Sequence, residues 1–320
     1  MKAVVHNRFG SPDVLRITEL AKPVPRAGDV LVKVHATTTT TAECQMRRGE
    51  PLWGRVILGF RGPRKKLRTL GLEFAGVVES VGADVRRFKP GDEVFGFTGF
   101  GLGAYAEYKC IAEKGSLALK PVNTTFEQAA AAVDGATTAL FFLRDKAKVR
   151  RGQRVLVNGA SGSVGSYAVQ LAKHFGAEVT GVCGPKNLDL VKELGADHVI
   201  DHTTDDFTAN IGAYDVVFDA VGRSSFPRSK RALRANGCYV PTSGLVNTFW
   251  SLWTSIGGGK RVVTGMSIDK NEGLAFVKDL VEADGLRIVI DSTYPLERIA
   301  DAHRYVETGH KTGNVVITVG

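Results

Sequence analysis

The stretch VLVNGASGSVGSYAV (155–169) constrains this chain more than any other. An apolar, β-branched run reads as a buried strand, and it passes through a loop almost bare of side chains into a helical pattern. That order makes Gly159, Ala160, Ser161, Gly162, Ser163, Val164 and Gly165 a phosphate cradle rather than a chance cluster of small residues. Gly162 permits close backbone approach to a pyrophosphate, and Gly165 lets the helix pack on the sheet. The helix N-terminus then aims N–H groups and partial positive charge at the phosphates. A dinucleotide is the ligand this calls for, and a tight strand-to-helix turn without ligand is the plain alternative.

The same rhythm continues beyond the loop. RVLVNGA reads as a strand, SVGSYAVQLAKHFG as a helix ended by Gly176, EVTGVCG as a strand and KNLDLVKELG as a helix. HVIDH, YDVVFDAVG, CYVPTSG and RVVTGM continue the strands. Such alternation predicts a parallel sheet with helices on both faces. An NAD site usually carries Asp or Glu at the end of the second strand, roughly 20 residues past the loop. Here that position reads Val182-Cys183-Gly184-Pro185-Lys186-Asn187, with no carboxylate. The Lys186 ammonium can pair with a 2′-phosphate that a carboxylate would repel, so the reading favours NADP(H). A solvated lysine at a helix start is the alternative.

Residues 1–120 read mostly as strands and turns, including VLVKVHATT (30–38), FAGVVESVG (74–82) and KPGDEVFGF (89–97), with weak helical signals. TTFEQAAAAV (124–133) opens with Thr-Thr-x-Glu, a capping-type start to an alanine-rich helix. Towards the end come a helix near 271–284, the strand-like RIVIDSTYPL, a helix over 297–308 and the strand-like GNVVITVG. Those last strands are expected to rejoin the first domain.

At 320 residues, 43% hydrophobic and 23% charged, the chain can bury a substantial core in two domains. No apolar run approaches the roughly 18 residues of a membrane span. MKAVVHNRFG has no apolar signal core, and Cys44, Cys110, Cys183 and Cys238 are scattered without metal-site spacing, so a cytoplasmic location is expected. The net charge is +9, and some of the excess sits in RGPRKKLR (61–68), RDKAKVRRGQR (144–154) and RSSFPRSKRALR (223–234). It suits small anionic ligands, nucleic acid or acidic membranes without choosing among them, and no DNA- or RNA-binding motif accompanies it. Solvated basic faces are the plain reading.

With these residues in place, the chain resembles the medium-chain dehydrogenase/reductase superfamily along its whole length, and within it the zinc-free quinone oxidoreductase branch of zeta-crystallin-like and reticulon-interacting-protein-like members. The resemblance is carried by GLEFAGVVESVG (71–82), RFKPGDEVFGF (87–97), GAYAEYKC (103–110), TALFFLRDKAKVRRGQRVLVNGASGSVG (138–165), LVKELGADHVIDH (190–202), VVFDAVG (216–222) and YPLERIADAHRYVETGHKTGNVVI (294–317). It implies an α/β protein: a GroES-like β-rich catalytic domain (1–121, completed by 292–320) and a Rossmann doubly wound parallel-sheet cofactor domain (122–291). Substrate and nicotinamide would meet in the cleft between them.

Departures from the zinc-dependent relatives matter most. They have Gly-His-Glu where this chain reads Gly71-Leu72-Glu73, and a catalytic cysteine where it has Thr40. Their third ligand falls near Val133 or Asp134, and one hard ligand cannot hold catalytic zinc. No metal is expected, and Cys44 reads as a core thiol. The resemblance also implies cofactor contacts at Thr138, Cys183, Gly184, Lys186, His202, Ala220, Val221, Gly222, Ser243, Gly244 and Asn314. Thr40, Gln45 and Arg47 are implied at the reacting end, each with ordinary strand-end or loop structure as its alternative. Glu43 and Glu73 flank that region and are expected either to matter there or to pair with Arg47 or Arg48. His6 and His35 read as β-domain residues and His174 as an exposed helix position.

Without a Lewis acid nothing lowers an alcohol's pKa, whereas hydride addition to an electron-poor C=C bond needs mainly positioning and a proton. The expected activity is therefore NADPH-dependent reduction of an enone or quinone, with a small, apolar conjugated carbonyl or quinone as partner. A zinc-free carbonyl or alcohol oxidoreductase stays open, as does a weakly catalytic NADPH-binding protein acting on RNA or as a scaffold. DNA binding is not expected, and at most a peripheral membrane contact is, through PLWGRVILGFRGPRKKLR (51–68). That segment caps a pocket in the alternative reading. FWSLW (249–253) walls a pocket, enters a subunit contact or packs in the core, and a homodimer stays open.

Overall fold

Along VLVKV the side chains of Val30, Leu31, Val32 and Val34 are all buried and only Lys33 faces outward, so the strand is covered on both faces over most of this run. This run belongs to β3 (Asp29–Thr39), the spine of the first structural unit. Around it lie β1 (Lys2–Val5), β2 (Arg16–Glu19), β4 (Glu73–Val81), β5 (Glu93–Phe97), β6 (Tyr108–Ala112) and β7 (Ser116–Leu119). β1 and β2 form an antiparallel pair, while β3 pairs with β4 and β6, β4 with β5, and β5 with β7, all antiparallel. The computed structural model describes residues 1–242, 245–256 and 259–320.

The second unit carries β8 (Arg154–Asn158), β9 (Glu178–Cys183), β10 (His198–Asp201), β11 (Tyr214–Asp219), β12 (Leu233–Pro241) and β13 (Arg261–Val262). They form one parallel sheet in the order β10-β9-β8-β11-β12-β13. The chain moves outward one way from β8 through β9 to β10, then crosses back to β11 and continues the other way. The order thus reverses between β8 and β11, and the carboxyl ends of strands at such a reversal are where open α/β sheets bind ligands.

The final strands, β14 (Ile290–Pro295) and β15 (Asn314–Thr318), belong to the first unit, where β15 pairs with β3. The first unit comprises Met1–Asp134, Ile268–Glu282 and Ile290–Gly320, and the second Gly135–Ser267 and Ala283–Val289. The division falls after Asp134 rather than after residue 121, because helix Phe126–Ala131 packs against β3, β4 and β15. Helix Asn271–Glu282, expected in the nucleotide half, lies against β7 instead.

Two local readings also shift. The helix at 126 is capped by Thr125 and Gln128 reciprocally, one residue later than the Thr-Thr-x-Glu pattern placed it. Where helical signals looked weak, Thr41–Arg48 is a helix with its own capping box: Thr40 accepts from Glu43 N, and the Glu43 carboxylate accepts from Thr40 N. Gly49, at φ 69°, ends it in the left-handed conformation.

Candidate functional site

In the second unit, the loop leaves β8 and enters helix Ser163–His174 with Gly162 as the N-cap, so no side chain stands over the first turn. Two contacts fix the loop. The amides of Gly159 and Ala160 both donate to Val182 O on β9, at 3.0 and 2.9 Å. A Cβ on Gly165 would lie 2.0 Å from Gly159 O, so only glycine lets helix and strand approach this closely. Ser161 is nearly buried, and the Asn187 side chain reaches it at 3.1 Å, tying the loop to the end of β9. Val164 and Gly165 belong to the first turn, whose N–H groups cannot all be satisfied within a helix. This cradle fits a pyrophosphate.

At the end of β9, Cys183 is buried, and burial pushes its thiol up to about 11, so it serves as packing. Gly184 follows, and Lys186 and His202 are exposed beside it; a Cβ on Gly184 would meet His202 Nε2 at 3.6 Å. An ammonium and an imidazole at the end of β9 fit a ribose 2′-phosphate, while Asp201, opposite Cys183 on β10, has its carboxylate engaged by Thr203 N and Oγ1.

Across the sheet reversal lies a residue that sequence reasoning missed. Asp219, the last residue of β11, is fully buried. Its carboxylate accepts from Asn158 Nδ2 (3.0 Å), Val221 N (3.3 Å), Gly222 N (3.1 Å), Ser224 N (3.1 Å) and Tyr239 Oη (2.8 Å). Asp219 thereby shapes the turn Ala220-Val221-Gly222, in which Val221 is half exposed and Gly222 has φ 66°. The signal was available: an acid closing an apolar strand before a glycine turn. Thr138 stands partly buried on helix Asp134–Leu140. Ser243 and Gly244 lie outside the described residues.

The first unit holds a buried polar cluster at the positions where zinc-dependent relatives bind metal. Glu43 takes Thr40 N and Leu72 N, both at 2.8 Å, on its two carboxylate oxygens. Burial outweighs these donors and raises its pKa to about 7. Glu73 accepts from the Thr38 hydroxyl and from Asp134 N at 2.6 Å. Burial, and then the neighbouring Asp134 charge, also raise the Glu73 pKa. Neither acid pairs with arginine as the sequence had allowed. Both work as internal acceptors that hold the start of helix Thr41–Arg48 and of helix Asp134–Leu140.

These residues do not fit zinc. The Thr40 hydroxyl caps a helix, Leu72 offers no donor atom, and the Asp134 carboxylate lies 2.8 Å from the fully buried Lys270 ammonium. Among the described residues, no three His, Cys, Asp or Glu side chains are grouped to hold a metal ion.

Arg47 requires a correction. Its side chain is fully buried, ion-paired with Glu307 of the C-terminal helix Ile299–Glu307, so it braces two helices and cannot meet a substrate. Gln45, two residues earlier, is exposed on the opposite side of the helix turn. Thr40 is half-buried, and Asn314 is buried at the start of β15. Behind Arg47 lies a second residue not anticipated. His303 is fully buried, with Nδ1 3.3 Å from Cys44 Sγ and Nε2 3.2 Å from Tyr105 Oη. Burial, then the positive charges of Arg47 and His6, lower its pKa to about 3.

Comparison with known proteins agrees with this architecture. Residues 26–121 match the alcohol dehydrogenase GroES-like domain, and residues 194–317 match a family model described as zinc-binding dehydrogenase. The NADPH-dependent alkenal/one oxidoreductase of Arabidopsis thaliana chloroplasts is 33% identical over 99% of this chain and 79% of its own length. The 2-methylene-furan-3-one reductase of Solanum lycopersicum is 34% identical over 99% of this chain and 79% of its own. The solved quinone oxidoreductase of Coxiella burnetii superposes with a TM-score of 0.90 at 30% identity, covering 100% of this chain and 99% of that one. The chain belongs to the medium-chain dehydrogenase/reductase superfamily, in its quinone oxidoreductase branch.

Proposed function

We propose that this protein is an NADPH-dependent reductase of electron-poor C=C bonds, acting on enones or quinones without zinc. The observation that carries the reading is an intact dinucleotide cradle in a chain whose Thr40 and Leu72 replace metal ligands. The similarity to an alkenal/one oxidoreductase and a quinone oxidoreductase supports it. When bound, NADPH supplies a hydride to the electron-poor carbon of the acceptor.

The chain's own contribution is binding and positioning. Gly159–Gly165 holds the pyrophosphate, Lys186 with His202 holds the 2′-phosphate, and Asp219 fixes the turn at Val221 and Gly222. Thr40 is the polar group offered towards the acceptor's oxygen: its hydroxyl oxygen receives Glu43 N at 3.3 Å, and its hydrogen is shared with the Glu43 carboxylate. Glu43 and Glu73 are buried and engaged with backbone amides, so the final proton comes from water. Four free thiols fit a reducing compartment such as the cytoplasm. No described helix is long and apolar enough to cross a membrane.

An acceptor panel tests the reading. Purified protein with NADPH should oxidise the cofactor in the presence of 1,4-naphthoquinone or a long-chain enal, with no zinc in the protein by metal analysis. Turnover of saturated aldehydes alone would assign a carbonyl reductase. NADPH binding with no turnover of any acceptor, together with salt-sensitive RNA binding, would assign a non-catalytic role.

A further inference from the structure

We propose that the segment 51–68 is a docking surface for an anionic phospholipid bilayer. Leu52, Trp53, Val56, Ile57 and Phe60 are 72%, 54%, 57%, 56% and 74% exposed, five bulky apolar side chains within nine residues of chain. Scattered exposed apolar residues are ordinary, but a contiguous group of this kind marks a surface that something covers.

The exposure does not come from slack chain. Gly59 N donates to Arg55 O at 2.8 Å, and Arg64 N to Leu58 O and Leu67 N to Arg64 O at 2.7 Å. Arg55 donates to Gly49 O at 3.1 Å, and its guanidinium lies 5.0 Å above the Phe9 ring. Arg64 closes the segment by donating to Val56 O at 2.8 Å. Gly54 and Pro63 are buried, so the backbone is pinned to the domain while the apolar tips face outward.

Charge selects the occupant. Arg61, Arg64, Lys65, Lys66 and Arg68 are exposed directly after the apolar group, and no Asp or Glu occurs from residue 51 to 72. A surface of one sign calls for a partner of the opposite sign. Apolar side chains including tryptophan, followed by a run of cations and preceded by Glu50, whose charge is paired with Arg48 at 2.9 Å, match a surface with acyl chains beneath anionic headgroups. The apolar tips would enter the headgroup boundary while the cations stay at phosphate level. The inference concerns binding only and does not depend on the reductase reading.

Sedimentation of the full chain with vesicles tests it. Partition onto phosphatidylcholine vesicles containing phosphatidylserine should exceed partition onto phosphatidylcholine alone by about 10-fold or more, and should fall as salt rises. Lys65→Glu/Lys66→Glu should lower it by about 10-fold or more, since each cation near the surface contributes comparably. Trp53→Ser/Phe60→Ser should lower it at any salt concentration, and brominated lipid should quench tryptophan fluorescence in the parent but much less in this variant. Melting with and without NADPH establishes that both variants fold, and either one alone suffices for the test. Equal, weak partition onto both vesicle types overturns the proposal, as does binding that neither variant changes. Self-association abolished by Trp53→Ser/Phe60→Ser, without vesicle binding, also overturns it and assigns the surface to a second copy of the chain.

Discussion

Asn158 and Asp219 end adjacent parallel strands, face each other in register, and join through an amide-to-carboxylate hydrogen bond of 3.0 Å. They occupy the place where the strand order reverses, between β8 and β11. The same carboxylate holds the Val221 and Gly222 amides, so one buried acid links the strand that feeds the phosphate loop to the turn on the next strand.

Asp219→Ala would leave five donors without their acceptor. Each orphaned buried donor costs roughly 1–3 kcal/mol, and relaxation and water recover part of the total, so a loss of about 3 kcal/mol or more is expected. Thermal melting should show it, and isothermal titration should show weaker NADPH binding because the turn loses its template. Unchanged melting with unchanged affinity would remove Asp219 from this role.

Lys186→Ala separates the two nicotinamide cofactors. Losing a charge-assisted contact to the 2′-phosphate should weaken NADPH binding by about 10- to 100-fold and leave NADH almost unaffected. Parallel titrations with the two cofactors measure the ratio. An equal loss for both would show that Lys186 supports the fold rather than the phosphate.

Gly165→Ala places a methyl group where Gly159 O already sits, 2.0 Å away. The obstacle is backbone, so no rotamer change relieves it, and a destabilisation of about 1–3 kcal/mol with loss of NADPH protection is expected. Gly162→Ala is the milder comparison: its nearest neighbour is 3.4 Å away, so only the N-cap preference for glycine over alanine, about 1 kcal/mol or less, should be lost.

Stability should respond to acid through His303. Its folded pKa of about 3 lies below the ordinary 6.5, so the folded protein resists protonation there. The stability this gives is complete above pH 6.5 and is lost progressively as pH falls towards 3. His6, also lowered by burial, adds to the same limb. Denaturant titrations across that range should give a steeper acid limb for the parent than for His303→Phe. Coincident slopes would contradict the assignment.

Much of this was legible beforehand. The phosphate loop and the strand–helix alternation follow from period and turn chemistry, which are local. Helix Thr41–Arg48 escaped because its mean composition is polar and its start follows a run of threonines, although Thr40 and Glu43 form a capping box visible in the letters. Arg47 was misplaced for a different reason. The resemblance implied it at the reacting end, and only its partner Glu307, remote in sequence, shows that it is buried. His303 and Asp219 are likewise defined by distant neighbours, Cys44 and Tyr105 for one and Asn158 for the other. A pattern of adjacent letters cannot report such pairs.

The fate of the transferred hydrogen tests the central claim most directly. NADPH deuterated at nicotinamide C4 would be incubated with the protein and an α,β-unsaturated ketone, and the product examined by NMR. Conjugate reduction predicts deuterium on the former β-carbon of a saturated ketone. Deuterium on the carbonyl carbon of an allylic alcohol, or no transfer to any conjugated acceptor, would contradict it.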